Sequence, residues 1–209
     1  MRIAWYAFAL VVSSIPFIVG ACRYVPRRTA LFWFSWILGL AVWTTLVAPG
    51  LDERHLDRIE WMAFGVVAAA VGTLVAVDVA VKRLPLDLSY GALATIQIMF
   101  VMSWRSEWSG IVGSWMGAGA MFAIAWMLAK FRTGVGRGDV HMTPLLGAAI
   151  GWFDPWSVLI GWFFALLTGG LVSAVLLGSR RVERRSKIPY GPWLALGSAI
   201  AISIATHSA

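Results

Sequence analysis

Charge is scarce in this chain and cysteine nearly absent. Only 13% of its 209 residues are charged, 60% are hydrophobic, and the mean hydropathy is +0.79. A soluble domain carries about 25% charged residues, so that class is excluded. The single cysteine, Cys22, rules out a disulfide within the chain, and without a CxxC pair nothing suggests zinc. No low-complexity tract, clear repeat or polar insert longer than about a dozen residues interrupts the sequence. A nucleic-acid-binding role therefore has no aromatic-rich soluble module to rest on.

What is present is a succession of apolar segments. A bilayer core of about 30 Å takes about 20 apolar residues per helix. Segments of this kind are expected at residues 1–21, 29–48, 61–81, 86–104, 108–128, 140–153, 155–177 and 191–207. The sixth is short for a full crossing, so seven or eight spans are expected. They form an all-α transmembrane bundle, because lipid gives the backbone no hydrogen-bond partner. The first segment has only Arg2 ahead of its apolar stretch, with Arg23, Arg27 and Arg28 behind it. That is the wrong flank for a cleaved signal, so the segment is read as a helix. The whole chain, 1–209, is read as one membrane domain, with two N-terminal helices over 1–60 and a core over 61–209.

Basic residues alternate between loops. Arg23, Arg27 and Arg28, then Lys82 and Arg83, then Lys130, Arg132 and Arg137, then Arg180, Arg181, Arg184, Arg185 and Lys187 fall on one side. The other side has Arg2, Arg54, Arg58 and Arg105. By the positive-inside rule the first set is cytoplasmic, which requires eight spans rather than seven. The net charge of +7 is then a signal of orientation and of attraction to anionic lipid. Trp43, Trp61, Trp104, Trp108, Trp152 and Trp156 are expected near the outer ends as an interfacial belt.

Against this background two carboxylates stand out. Asp78 lies near the end of the third segment, about one helical turn before Lys82 and Arg83. Asp139 closes Gly134-Val-Gly-Arg-Gly-Asp139, just ahead of the sixth segment. A carboxylate at membrane depth is costly and marks a functional site by default. The charge pattern brings both to the same face. Two carboxylates a few ångströms apart share a proton, so one can act as general base and the other as general acid. Gly134, Gly136 and Gly138 would give the backbone conformational freedom and let a substrate strand come close. A Gly-rich loop ahead of a helix also suits phosphate binding, but the Walker form is absent because no Lys-Ser or Lys-Thr follows, and a dinucleotide fingerprint is not persuasive because a helix, not a strand, precedes.

At these residues the sequence resembles the type IV prepilin peptidases, membrane aspartic proteases with a GxGD motif. Three patches carry the resemblance. Asp78-Val-Ala-Val-Lys-Arg-Leu-Pro85 is similar to the family's first catalytic aspartate with its following proline. Gly134 to Asp139, continued by Val-His141-Met, is similar to GMGxGDxKL. Ile188-Pro189-Tyr190-Gly191-Pro192 is similar to IPFGP. The resemblance covers residues 61–209 and departs in three places. Leu86 stands where the family commonly has Asp or Asn, and His141 where it often has Lys. Residues 22–28 replace the larger CxxC-bearing cytoplasmic domain of members that also N-methylate the pilin, so the chain looks like a short form.

The resemblance implies a hydrolase of the inner (plasma) membrane of bacteria. It would remove a short basic leader, at a glycine, from prepilin-like proteins of type IV pili or secretion systems. Asp78 and Asp139 would be the catalytic dyad, facing the cytoplasm. Gly134, Gly136, Gly138 and His141 would form the active-site loop. Pro85, Pro189, Gly191 and Pro192 would support it. No metal and no cofactor is implied, methyltransferase activity is unsupported, and the oligomeric state is open. The partners implied are the prepilin-like substrate and the lipid bilayer, with no nucleic acid. Two other readings stand beside it: a proton-coupled transporter that uses the same carboxylates as relay groups, and a non-catalytic subunit of a pilus or secretion assembly, which loss of either aspartate would favour.

Structural roles compete at individual residues. Asp78 could simply pair with Lys82 at i+4, and Asp139 could be the N-cap of the next helix. Asp87 and Asp154 are read as helix caps. His141 divides between packing and support of Asp139, while His55 and His207 are expected outside. Gly113-x3-Gly117 and Gly147-x3-Gly151 are expected to permit close helix packing. Met99, Met102, Met116, Met121 and Met127 are read as core or lipid-facing.

Overall fold

The computed structural model describes residues 2–25, 30–54, 56–82, 84–103, 108–131, 136–179 and 189–207. Eight helices are found among the described residues: α1 (Arg2–Ala21), α2 (Ala30–Glu53), α3 (Arg58–Val81), α4 (Leu86–Met102), α5 (Trp108–Lys130), α6 (Arg137–Gly151), α7 (Ser157–Gly178) and α8 (Gly191–His207). They correspond one to one with the eight apolar segments. Helices α1, α2, α3, α5 and α7 are long and apolar enough to cross a membrane, while α4 is a shorter apolar helix. The protein is a polytopic helical membrane bundle.

Helix α3 is the axis of the bundle. Every residue from Ala63 to Asp78 is buried, which suits a sequence made largely of Ala, Val and Gly. Its small residues let neighbours close in. A Cβ on Gly65 would sit 2.8 Å from the Tyr6 carbonyl oxygen of α1, and one on Gly72 would sit 2.9 Å from Leu40 Cγ of α2. The glycine pairs behave as expected: a Cβ on Gly113 or Gly117 would collide with the carbonyls of Gly151 and Gly147, so α5 and α6 touch backbone to backbone. Gly161 and Gly197 bring α7 and α8 together in the same way.

The outer surface is apolar. Ile15 of α1, Phe34 of α2 and Leu171 of α7 are each more than 60% exposed, as a lipid-facing perimeter requires. The methionines divide as expected: Met121 is core, while Met102, Met116 and Met127 are exposed.

Chain ends meet in two groups. At one end Tyr24, just past α1, donates to Asp87 at the start of α4, and Gly191 at the start of α8 donates to Asp78 near the end of α3. At the other, Arg54 just past α2 donates to the last carbonyls of α8, Ala205 and Thr206, at 2.7 and 2.9 Å. A cation there also suits the negative end of the helix dipole. Helix α2 continues past residue 48 because Gly50 and Leu51 are buried, with Gly50 against Thr206.

The tryptophan belt is only partly present. Trp108 and Trp156 are 77% and 75% exposed, but Trp43, Trp61 and Trp152 lie inside the bundle. Trp152 stacks on Phe100 with ring centroids 4.1 Å apart, and Trp61 meets Tyr6 edge-on. These rings fill gaps between helix ends, a role that position along the chain does not reveal. Trp104 and His55 lie outside the described residues, as do Arg27, Arg28, Arg83, Arg132 and the basic residues 180–187.

Candidate active site

Asp78 projects from the last turn of α3. The helix ends there because Lys82 turns into the left-handed region (φ 54°, ψ 34°), its N–H donating to the Asp78 carbonyl. Leu84 and Pro85 then carry the chain into α4, for which Pro85 is the extended N-cap. The Asp78 side chain is 5% exposed. Its Oδ2 accepts the Gly191 N–H at 3.0 Å, and Lys82 lies within electrostatic reach at i+4.

Asp139 sits in the first turn of α6. It is the third residue of the helix and not the N-cap; that position belongs to Gly136. The carboxylate reaches back so that Oδ2 accepts the Gly136 N–H at 3.0 Å, the acidic half of a capping box. Asp139 is 6% exposed, and Asp78 and Asp139 lie within electrostatic reach of each other. Among the described residues, no hydrogen bond reaches Oδ1 of either. Two helices that are sixty residues apart in sequence thus present one partly anchored carboxylate each.

The glycines matter here for space rather than for unusual backbone angles. Gly136 is extended (φ −72°, ψ 151°), and a Cβ on it would sit 2.9 Å from Asp139 Oδ2. A Cβ on Gly138 would press on Leu84 at 3.3 Å, so this glycine lets the link between α3 and α4 lie against the start of α6. A Cβ on Gly191 would sit 2.8 Å from Asp78 Oδ2. Gly138 and His141 are within α6 rather than in a loop, because the capping bond starts the helix at Arg137. Gly134 and Ile188 lie outside the described residues.

Other expected residues take different places. His141 bonds through Nδ1 to the Tyr90 hydroxyl at 2.8 Å and lies near Phe122, so its ring is engaged by α4 and α5. Asp87 is in the first turn of α4 but is not its cap, and it accepts from Tyr24 instead. Asp154 accepts from the Trp156 and Ser157 N–H groups, closing the turn before α7. His207 lies 3.5 Å from Glu53. Pro189 is half-buried, and Pro192 falls in the first turn of α8, where a missing N–H costs nothing. Among the described residues no group of three or more His, Cys, Asp or Glu side chains gathers as a metal site would need.

One residue of the site was not singled out by the sequence. Tyr190 caps α8 with its carbonyl, which accepts from Trp193 and Leu194. Its side chain lies near Asp139. Burial, and after it the Asp139 charge, push the phenol up to about 12. The signal was its position inside the Ile188–Pro192 patch, where attention fell on the glycine and prolines.

Curated proteins named prepilin leader peptidase/N-methyltransferase are similar to this chain. One from Burkholderia pseudomallei (strain K96243) is 30% identical over 148 residues, 69% of this chain and 46% of that protein. One from Pectobacterium carotovorum subsp. carotovorum is 27% identical over 168 residues, 78% of this chain and 51% of the relative. One from Stutzerimonas stutzeri is 29% identical over 204 residues, 93% and 60% respectively. The chain spans about half the length of the curated relatives it matches. No family model and no solved structure matches it. Shared by relatives that cover from 69% to 93% of its length, that name identifies the chain as a relative of the type IV prepilin peptidases.

Proposed function

We propose that this protein is a membrane aspartic endopeptidase that removes the short basic leader from prepilin-like proteins, with Asp78 and Asp139 as the dyad. The observation that carries the reading is the pair itself. Two buried carboxylates from different helices lie within electrostatic reach, each with one oxygen held by a backbone N–H. Among the described residues the other oxygen of each accepts no hydrogen bond, and in this reading it is the one that meets the reactant.

The chemistry follows from one proton shared between two carboxylates. The ionised member takes a proton from water as the water oxygen attacks the scissile carbonyl carbon. The protonated member donates to the carbonyl oxygen, giving a neutral tetrahedral adduct. Return of a proton to the amide nitrogen breaks the C–N bond and releases an acid and an amine. Gly191 and Gly136 orient the two acids through their N–H groups, and Gly138 and Pro85 hold the α3–α4 link beside them.

The substrate class supported by the relatives' name is a prepilin, in which a basic leader meets a glycine and an apolar helix. The dyad faces the cytoplasm in this reading. In support, Arg23 and Lys82 follow the C-terminal ends of α1 and α3, and Lys130 is the last residue of α5, helices that run toward the dyad end, as a basic cytoplasmic side would have it. The proposal takes only the peptidase half of the relatives' name, since residues 22–28 leave a short connection without a CxxC pair.

The test uses the detergent-purified protein and a prepilin, with loss of the leader followed by gel shift. The parental protein cleaves, and Asp78→Asn and Asp139→Asn each slow cleavage by about 10²-fold to 10⁴-fold, the range for loss of a general acid or base. Near-parental rates in either variant would sink the dyad.

A further inference from the structure

The Tyr190 hydroxyl is a polar group without a use in the fold. Its oxygen is shielded from solvent and has no hydrogen-bond partner among the described residues. Its ring is firmly placed, because a Cβ on Gly169 of α7 would sit 3.1 Å from Tyr190 Cε2. The next residue, Gly191, holds Asp78, and the phenol is within electrostatic reach of Asp139. A buried hydroxyl left unpaired is destabilising, so such groups call for an explanation in a bound partner or in function.

We propose that the Tyr190 hydroxyl binds substrate, donating a hydrogen bond to a backbone carbonyl of the peptide next to the bond that is cut. The inference rests on the peptidase reading above and adds a substrate-binding residue to it. A main-chain carbonyl is the fitting acceptor because an extended peptide lying across the dyad presents one on each side of the scissile bond. The phenol is a suited donor: held up near 12, it keeps its proton throughout the working range of a carboxylate pair.

The experiment compares the parental protein with Tyr190→Phe on a synthetic peptide carrying a basic leader, a glycine and the first apolar turns of a helix. Companion peptides have each carbonyl flanking the cut replaced by a methylene. Tyr190→Phe is expected to lower kcat/KM about tenfold, equivalent to about 1.4 kcal/mol. Its thermal unfolding in detergent should stay at or above the parental temperature, since an unpaired hydroxyl is removed. On one of the methylene peptides the variant and the parent should become equal, which a merely structural role for the ring would not produce. Cleavage by Tyr190→Phe within twofold of parental overturns the proposal, as does an equal loss on every peptide. Asp139→Asn is run alongside. If it cleaves at the parental rate the dyad falls, and Tyr190→Phe is still judged by its own loss.

Discussion

Two acids meet at each end of α3, and the two pairs are bonded differently. At the N-terminal end Asp57 and Glu60 form a complete capping box, each side chain accepting the other's N–H at 2.8 Å. Ser103 at the end of α4 donates to both, at 2.5 Å to Asp57 Oδ2 and 3.1 Å to Glu60 Oε1. All four carboxylate oxygens are bonded. At the C-terminal end, among the described residues, Asp78 and Asp139 show one bonded oxygen each and the Tyr190 hydroxyl has no partner. The first pair fastens α3 to α4. The second leaves hydrogen-bonding capacity unspent in a buried place, where unspent capacity is destabilising unless a reactant uses it.

The sharpest way to break that comparison is to neutralise one acid at each end and measure unfolding together with cleavage. Asp78→Asn and Asp139→Asn should unfold at or above the parental temperature while losing cleavage by about 10²-fold or more, as expected when function and stability oppose each other. Glu60→Gln should do the reverse. If Asp78→Asn unfolds several degrees below the parent, the acid is a structural tie and the contrast collapses.

A smaller effect is expected from crowding the dyad without changing its charge. Gly191 opens α8 and needs no unusual φ, so Gly191→Ala is compatible with the backbone there. Its Cβ would nevertheless stand 2.8 Å from Asp78 Oδ2 and 3.3 Å from Cγ, so the carboxylate must shift. Displacement of a reacting group by about 1 Å can cost about 10²-fold in rate. Cleavage by Gly191→Ala should fall about 10-fold to 100-fold, with folding intact by circular dichroism. Parental activity would mean that Asp78 does not need the Gly191 N–H to hold it.

How much of this was legible in the sequence depended on the kind of force involved. Apolar runs marked the helices, with the short sixth supported by the charge alternation, and the energetic anomaly of Asp78 and Asp139 in an apolar chain pointed to the candidate site. Helix starts were less legible: α3 begins at Arg58 and α6 at Arg137, each ahead of its apolar run, because polar capping bonds set those ends. Gly136 is extended and uses no unusual backbone angle; what it and Gly191 supply is room for a carboxylate, and each also donates its N–H to that carboxylate. The partners of His141 and Asp87, Tyr90 and Tyr24, lie about fifty to sixty residues away in the chain, and no local pattern encodes them. The burial of Trp43, Trp61 and Trp152 was hidden for the same reason, since an aromatic ring at a helix end fits an interface or a core equally well.

The smallest expected effect concerns the saturated end, and it tests whether the two ends of α3 are independent. Asp57→Ala removes the acceptor for the Glu60 N–H and one of the two acceptors for Ser103. Loss of an N-cap costs about 0.5–2 kcal/mol. Ser103 can still donate to Glu60 Oε1, so the upper part of that range would be reached only if the loss spreads to α4. The unfolding temperature should therefore drop modestly. The dyad lies at the far end of a helix of 24 residues, about 36 Å long. At that distance, with no shared partner, effects add independently. At a temperature where both proteins are folded, kcat for leader removal should match the parent within about twofold, the scatter expected for uncoupled sites. A tenfold fall in kcat would mean that α3 transmits the state of its cap to Asp78, and the helix would then be a lever rather than a fixed axis.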